Sequence, residues 1–142
     1  MVEFLSQSVA DTEAFACRLA QRVPQAGFVA LFGGLGMGKT AFARGFMKGL
    51  DYAGEVSSPT FALVHEYVGG KQDVFHFDLY RVTSPEDLYS TGFFDYEGRG
   101  ILLTEWSENI EELLPTDCIR VHIAAGKGDE QRKITVEGLN EC

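Results

Sequence analysis

Phe28-Val29-Ala30-Leu31-Phe32-Gly33-Gly34-Leu35-Gly36-Met37-Gly38-Lys39-Thr40 decides how the rest of the chain is read. The opening run, Phe28 to Phe32, is wholly apolar and follows a glycine, the pattern of a strand covered on both faces. Gly33 to Thr40 satisfies G-x-x-x-x-G-K-[ST], the Walker A phosphate-loop pattern, in its required place between a strand and a helix. Beyond it, Ala41, Phe42, Gly45 and Phe46 share the inner face of a helix predicted from about Gly38 to Leu50. The residue types fit the chemistry. Glycines let successive N–H groups turn into one concavity and leave room for phosphate oxygens. The helix that follows aims its N-terminal N–H groups and positive dipole end at the same point. Lys39 supplies a point charge for the β- and γ-phosphates, and Thr40 a hydroxyl for Mg²⁺. The plain alternative is a glycine-rich strand-to-helix turn with a solvated lysine.

Upstream, Ser8-Val9-Ala10-Asp11 reads as a helix start, with Ser8 as N-cap and an acid three residues on. Phe15, Ala16, Leu19, Ala20 and Val23 continue it at helical spacing, and Pro24 to Gly27 ends it. Downstream, Asp51 to Pro59 is a Gly-, Ser- and Pro-containing loop. Phe61–Tyr67 and Lys71–Phe77 flank Gly69-Gly70 as a hairpin. Ser84-Pro85-Glu86-Asp87 opens a short helix. Ile101 to Thr104 is another buried strand, Ser107 to Leu114 is helical up to Pro115, and Cys118–Ala124 with Arg132–Val136 form a closing strand pair. The order predicts an α/β, P-loop NTPase-like fold with a mixed, mostly central sheet flanked by helices.

The chain has 142 residues, the size of one domain, so residues 1–142 are read as one unit. Hydrophobic residues at 45% and charged residues at 23% are globular proportions that exclude a fibrous or disordered chain. The net charge of −9 argues against a direct grip on a nucleic-acid backbone. No apolar stretch reaches the length of a membrane helix, and Met1 to Ala10 lacks a leader pattern, so a cytoplasmic location is expected. The three cysteines, Cys17, Cys118 and Cys142, show no metal or redox spacing, and Cys17 and Cys118 read as buried thiols.

A phosphate loop needs an acid near its magnesium at the end of a neighbouring strand. Two fit: Asp78, after Val74-Phe75-His76-Phe77, and Glu105, after Ile101-Leu102-Leu103-Thr104. One is expected to help hold Mg²⁺ and the other to orient or deprotonate the attacking water. The plain alternatives are a helix or turn cap for Asp78 and a solvated strand end for Glu105. Ser57-Ser58-Pro59-Thr60 carries hydroxyls that suit a nucleotide-sensing switch, or a simple turn. Trp106 reads as core, with ligand stacking as the alternative. His65, His76 and His122 read as strand packing or surface, and Arg44, Arg81 and Arg132 as candidate anion contacts without specific spacing.

Taken together, Gly33-to-Thr40, Ser58-Pro59-Thr60-Phe61, His76-Phe77-Asp78-Leu79-Tyr80-Arg81 and Leu103-Thr104-Glu105-Trp106 resemble the bacterial tRNA threonylcarbamoyladenosine biosynthesis ATPase family, TsaE or YjeE, in order and spacing. The resemblance spans about Ser6 to Gly138. It implies a small cytoplasmic ATPase that binds ATP with Mg²⁺ and supports turnover of an assembly with TsaD-like and TsaB-like proteins. It implies Thr40 and Glu105 as magnesium contacts, Asp78 as the second acid for hydrolysis, and Thr60 as part of the sensing loop. Nucleotide contacts are implied at Gly34, Leu35, Gly36, Met37, Gly38, Lys39 and Thr40, with adenine against Val9 and Arg132. The family often has Ala or Ser where this chain has Met37. Lys39, Asp78, Glu105 and Thr60 are therefore the expected catalytic set. The competing readings are a small-molecule or protein kinase using the same loop, and a nucleotide-gated binding module that barely hydrolyses.

Overall fold

The apolar run ending at Phe32 sits in the middle of the sheet, with a neighbour strand on either side. The computed structural model describes residues 2–33, 38–56 and 64–138. In chain order, β1 (Val2–Ser6) and α1 (Val9–Ala20) precede β2 (Phe28–Phe32) and α2 (Lys39–Gly49). Next come β3 (Val64–Tyr67), β4 (Val74–Asp78), α3 (Pro85–Ser90) and a 3₁₀ segment Phe93–Tyr96. Then follow β5 (Ile101–Glu105), a 3₁₀ segment Ser107–Leu113, β6 (Ile119–Ala125) and β7 (Arg132–Glu137). One seven-stranded sheet runs β1-β7-β6-β2-β5-β4-β3. Its centre, β6-β2-β5-β4, is parallel, and both edges are antiparallel. This is the expected P-loop NTPase-like α/β fold with a mixed sheet.

The sheet is covered on both faces, which explains why β2 is apolar at every position. Val29, Leu31, Leu103 and Val121 pack with α1 and α2 residues in one core. Ala30, Phe32, Leu102, Phe75 and Phe77 turn the other way, onto Leu88, Phe93 and Ile110. The two sets alternate along β2, β4 and β5, as the period of two requires.

The helices begin where their capping residues stand. Ser8 Oγ accepts the Asp11 N–H at 3.1 Å, and Ser84 Oγ accepts the Asp87 N–H at 3.1 Å. The expected reciprocal bond is displaced by one residue, because Asp11 Oδ2 accepts the N–H of Gln7 rather than that of Ser8. Two glycines set how closely α1 and α2 approach. A Cβ on Gly45 would lie 2.1 Å from the Glu13 carbonyl oxygen, and one on Gly49 would lie 2.3 Å from that of Cys17. Gly45→Ala is therefore expected to cost about 3 kcal/mol, the upper end of ordinary overpacking. Urea denaturation measures it, and an unchanged midpoint would contradict this packing.

Several expectations need correction. Val2–Ser6, which the sequence pattern does not mark as a strand, forms β1 and adds to β7 as an antiparallel edge. Phe93–Tyr96 adds a 3₁₀ turn that the sequence pattern does not mark either. The hairpin strands are shorter than predicted. β4 begins only at Val74, and the Lys71 N–H instead bonds the Leu50 carbonyl at 2.6 Å, outside the ladder. Phe61 to Leu63 lie outside the described residues. Ser107–Leu113 is helical as expected, in the 3₁₀ form, and is interrupted at Ile110, whose φ is −128°.

Cys118 is buried as expected, Cys17 is only half-buried, and Cys142 lies outside the described residues. Burial pushes the Cys118 thiol from 9.0 up to about 11. Its thiolate should then be about a hundredfold scarcer than that of an ordinary cysteine at mild pH. A thiol reagent followed by peptide mapping should mark Cys17 in the native protein and Cys118 only after denaturation.

Candidate functional site

The site forms where β2, β4 and β5 end and α2 begins. Gly38 is the residue before α2 and has φ of +91°, a left-handed conformation that disfavours any side chain. The next residue, Lys39, folds its side chain inward, and only 6% of it is exposed. Its Nζ lies 3.9 Å from Glu105 Oε1 and 4.4 Å from the centroid of the Trp106 ring. That ammonium is buried and has no hydrogen-bond partner among the described residues. An ammonium offers three donors, and leaving them unused in a desolvated slot is costly unless a ligand takes them up.

Glu105 ends β5 and is nearly fully buried, which overturns its reading as a solvated strand end. Its Oε2 lies 2.6 Å from His76 Nε2, and His76 Nδ1 lies 3.2 Å from the Tyr67 hydroxyl. Sheet parity makes this possible. Asp78 is in register with Glu105 and His76 with Leu103, so the side chains at 76, 78 and 105 share one face. The Glu105 carbonyl accepts the Leu79 N–H at 3.1 Å, tying the exits of β4 and β5 together.

Trp106 leaves β5 with φ of +60°, a backbone region that costs a non-glycine residue on the order of 1 kcal/mol or more. That turn places its indole beside Lys39 and edge-on to Tyr80, with ring centroids 5.0 Å apart. Trp106 does pack against the second core, as expected, but it is only partly buried and also faces the site.

The other predicted residues divide. Thr40 follows Lys39 on α2 and is half-buried. Asp78 sits beside Glu105 at the sheet end, but its Oδ1 accepts the Tyr80 N–H at 2.9 Å, the turn-capping role considered for it. Arg132 begins β7 next to the loop, with its Cγ 4.0 Å from a Cβ placed on Gly38. Its Nη1 donates to the carbonyls of Asp129 and Gln131. Val9 is exposed at the start of α1. Gly34, Leu35, Gly36 and Met37, and the whole Ser57-to-Thr60 stretch, lie outside the described residues.

Two further residues, His76 and Glu108, contact this region. His76 reads from sequence as strand packing or surface, yet its place two residues before Asp78 in a strand puts it on the acid's face. Glu108 Oε2 accepts the Gly33 N–H at 3.0 Å, so the segment after Trp106 holds the first glycine of the loop. Only the fold brings residues 33 and 108 together.

Fold and geometry define a P-loop NTPase-like protein, with the loop lysine drawn onto an acid at a neighbouring strand end. The family model described as "Threonylcarbamoyl adenosine biosynthesis protein TsaE" matches residues 6–134, and the chain belongs to this TsaE family. It is 38% identical over 126 residues to the tRNA threonylcarbamoyladenosine biosynthesis protein TsaE of Bacillus subtilis, covering 88% of this chain and 78% of that one. It is 46% identical over 97 residues to the protein of that name from Haemophilus influenzae, covering 67% of this chain and 61% of the relative. The crystal structure of Bacillus subtilis YdiB superposes with a TM-score of 0.77 at 31% identity, covering 98% of this chain and 86% of that one.

Proposed function

We propose that this protein serves tRNA threonylcarbamoyladenosine biosynthesis as an ATPase that binds ATP with Mg²⁺ at the start of α2. The observation that carries the reading is the buried Lys39 ammonium, unpartnered by hydrogen bonds and set against the Glu105 carboxylate. A phosphate oxygen supplies the acceptors that this ammonium lacks. The donor set suits Mg²⁺ as well. Among the described residues no cluster of three His, Cys, Asp or Glu could hold a metal alone. Magnesium in such sites is held by one or two protein oxygens together with phosphate oxygens. Thr40 and Glu105 would be those protein ligands, and the bound ion would neutralise charge on the phosphate oxygens.

Within this reading, Lys39 binds and orients the phosphates. Asp78 orients the attacking water, and Thr60 belongs to the nucleotide-sensing loop. The loop residues Gly34 to Gly38 line the phosphates, and Val9 and Arg132 flank the adenine. The position of Arg132 beside Gly38 supports that placement. Phosphoryl transfer to water is mostly positioning and charge stabilisation. A partner surface of TsaD-like or TsaB-like proteins would complete the site, so hydrolysis by the isolated chain should be slow. The assay is phosphate release with no added acceptor, measured alone and with the partners. Equal rates in both would contradict partner dependence, and phosphate transfer only to an added acceptor would favour the kinase reading.

No described helix is long and apolar enough to cross a membrane, and the proposed setting is the cytoplasm. The net charge of −9 suits docking on a basic partner rather than on tRNA. The partner affinity should therefore fall as salt rises from low to physiological strength, read by titration at several salt concentrations.

A further inference from the structure

We infer that His76, backed by Tyr67, is a positioning residue that holds the Glu105 carboxylate for the metal. The inference rests on the proposed Mg²⁺–nucleotide site and assigns a role to residues which that reading leaves unused. His76 is fully buried in β4, and both ring nitrogens are engaged. With the Tyr67 hydroxyl donating to Nδ1, the imidazole proton sits on Nε2 and donates to Glu105 Oε2. The tautomer is thus set from behind by a buried tyrosine in the next strand.

The consequence is directional. One carboxylate oxygen, Oε2, is held at 2.6 Å by His76, while Oε1 is turned toward Lys39 at 3.9 Å. A glutamate has three side-chain torsions, and without this bond its carboxylate would rotate among several positions. Holding one oxygen leaves the other presented to the same slot that Lys39 occupies. This is the arrangement by which a partner behind a carboxylate ligand fixes its orientation and its basicity. Asp78, whose Oδ1 is taken by the Tyr80 N–H, has no such support from a buried side chain among the contacts described.

Trp106 is the single tryptophan and touches the site, so its emission reports occupancy directly. The experiment titrates ADP into wild type, His76→Phe, His76→Gln and Tyr67→Phe, each with and without Mg²⁺, following Trp106 fluorescence. Wild type should bind more tightly with Mg²⁺. His76→Phe keeps a flat ring but removes the donor, and should raise the Mg²⁺ concentration required by about tenfold. Its metal-free ADP affinity should change less than about twofold, since the lysine and loop are untouched. His76→Gln places an amide N–H near the position of Nε2 and should recover most of the loss. Tyr67→Phe deletes one hydroxyl, and should shift the Mg²⁺ requirement in the same direction by a smaller factor. It also serves as the test if His76→Phe does not fold.

Equal weakening with and without Mg²⁺, or an unmoved Mg²⁺ requirement in the variants, overturns the positioning role alone. Wild-type protein that binds ADP equally well without Mg²⁺ overturns that role together with the metal site on which it rests.

Discussion

Lys39→Ala should weaken ATP binding by about 10–100-fold, the value of hydrogen bonds between a charged donor and its anion. Hydrolysis should fall by a further factor of about 10²–10³, as when one donor to a charged transition state is removed. The reason is the position of the side chain. Its ammonium is already withdrawn from water and lacks hydrogen-bond acceptors, so little solvation remains to be lost when phosphate arrives. An exposed lysine would give a smaller effect. Lys39→Arg should not rescue, because a planar guanidinium cannot replace a compact ammonium in the slot between Glu105 and the Trp106 ring. Calorimetric titration measures the affinity, and far-ultraviolet circular dichroism checks that the variant is folded. Wild-type affinity in a folded Lys39→Ala protein would remove the basis for placing a nucleotide here.

Much of the architecture is readable from local pattern, for physical reasons that differ between elements. The Phe28–Phe32 strand is legible because a strand buried on both faces reads as a continuous apolar run. The starts of α1 and α3 are legible because Ser8 and Ser84 leave a chemical mark where the first N–H groups need acceptors. The β1 strand is not legible by the same means. Its outward face carries Leu5, half exposed, and its inward face ends in the buried polar Ser6. Ser6 is tolerated because its hydroxyl meets the Thr12 hydroxyl at 2.7 Å. The strand is held by its ladder with β7 and by Phe4 stacked on Phe15 at 4.8 Å. Those are long-range contacts that leave no local periodicity.

The site divides along the same line. The placement of Lys39 at the start of α2 and of Glu105 at the end of β5 is legible because a phosphate loop and an acid at a strand end have fixed local contexts. Whether Asp78 or Glu105 faces Lys39 is not local. It depends on the order β2-β5-β4, which puts β5 rather than β4 next to the loop strand. The role of His76 depends on the same register, which carries its Nε2 to the Glu105 carboxylate across the strands. Trp106 reaches Lys39 only through a left-handed backbone step that no propensity of tryptophan predicts.

Glu105→Gln should separate binding from chemistry. The amide has the shape of the acid, and its oxygen can still accept the His76 Nε2 proton, so the strand ends should stay in place. What goes is one negative charge beside Lys39. Without Mg²⁺ the variant should bind ATP at least as tightly as wild type, because the carboxylate no longer repels phosphate or competes for the ammonium. With Mg²⁺ it should lose the gain in affinity that the metal confers, and hydrolysis should fall by about 10²–10⁴. Asp78→Asn should behave differently, since the asparagine oxygen keeps the cap on the Tyr80 N–H and the loop-facing charge is untouched. Its metal-dependent binding should remain near wild type while turnover falls. Binding isotherms with and without Mg²⁺, paired with phosphate-release rates, distinguish the two acids. If Asp78→Asn rather than Glu105→Gln abolished the magnesium effect on binding, the metal would belong to β4 and the His76-to-Glu105 bond would be structural.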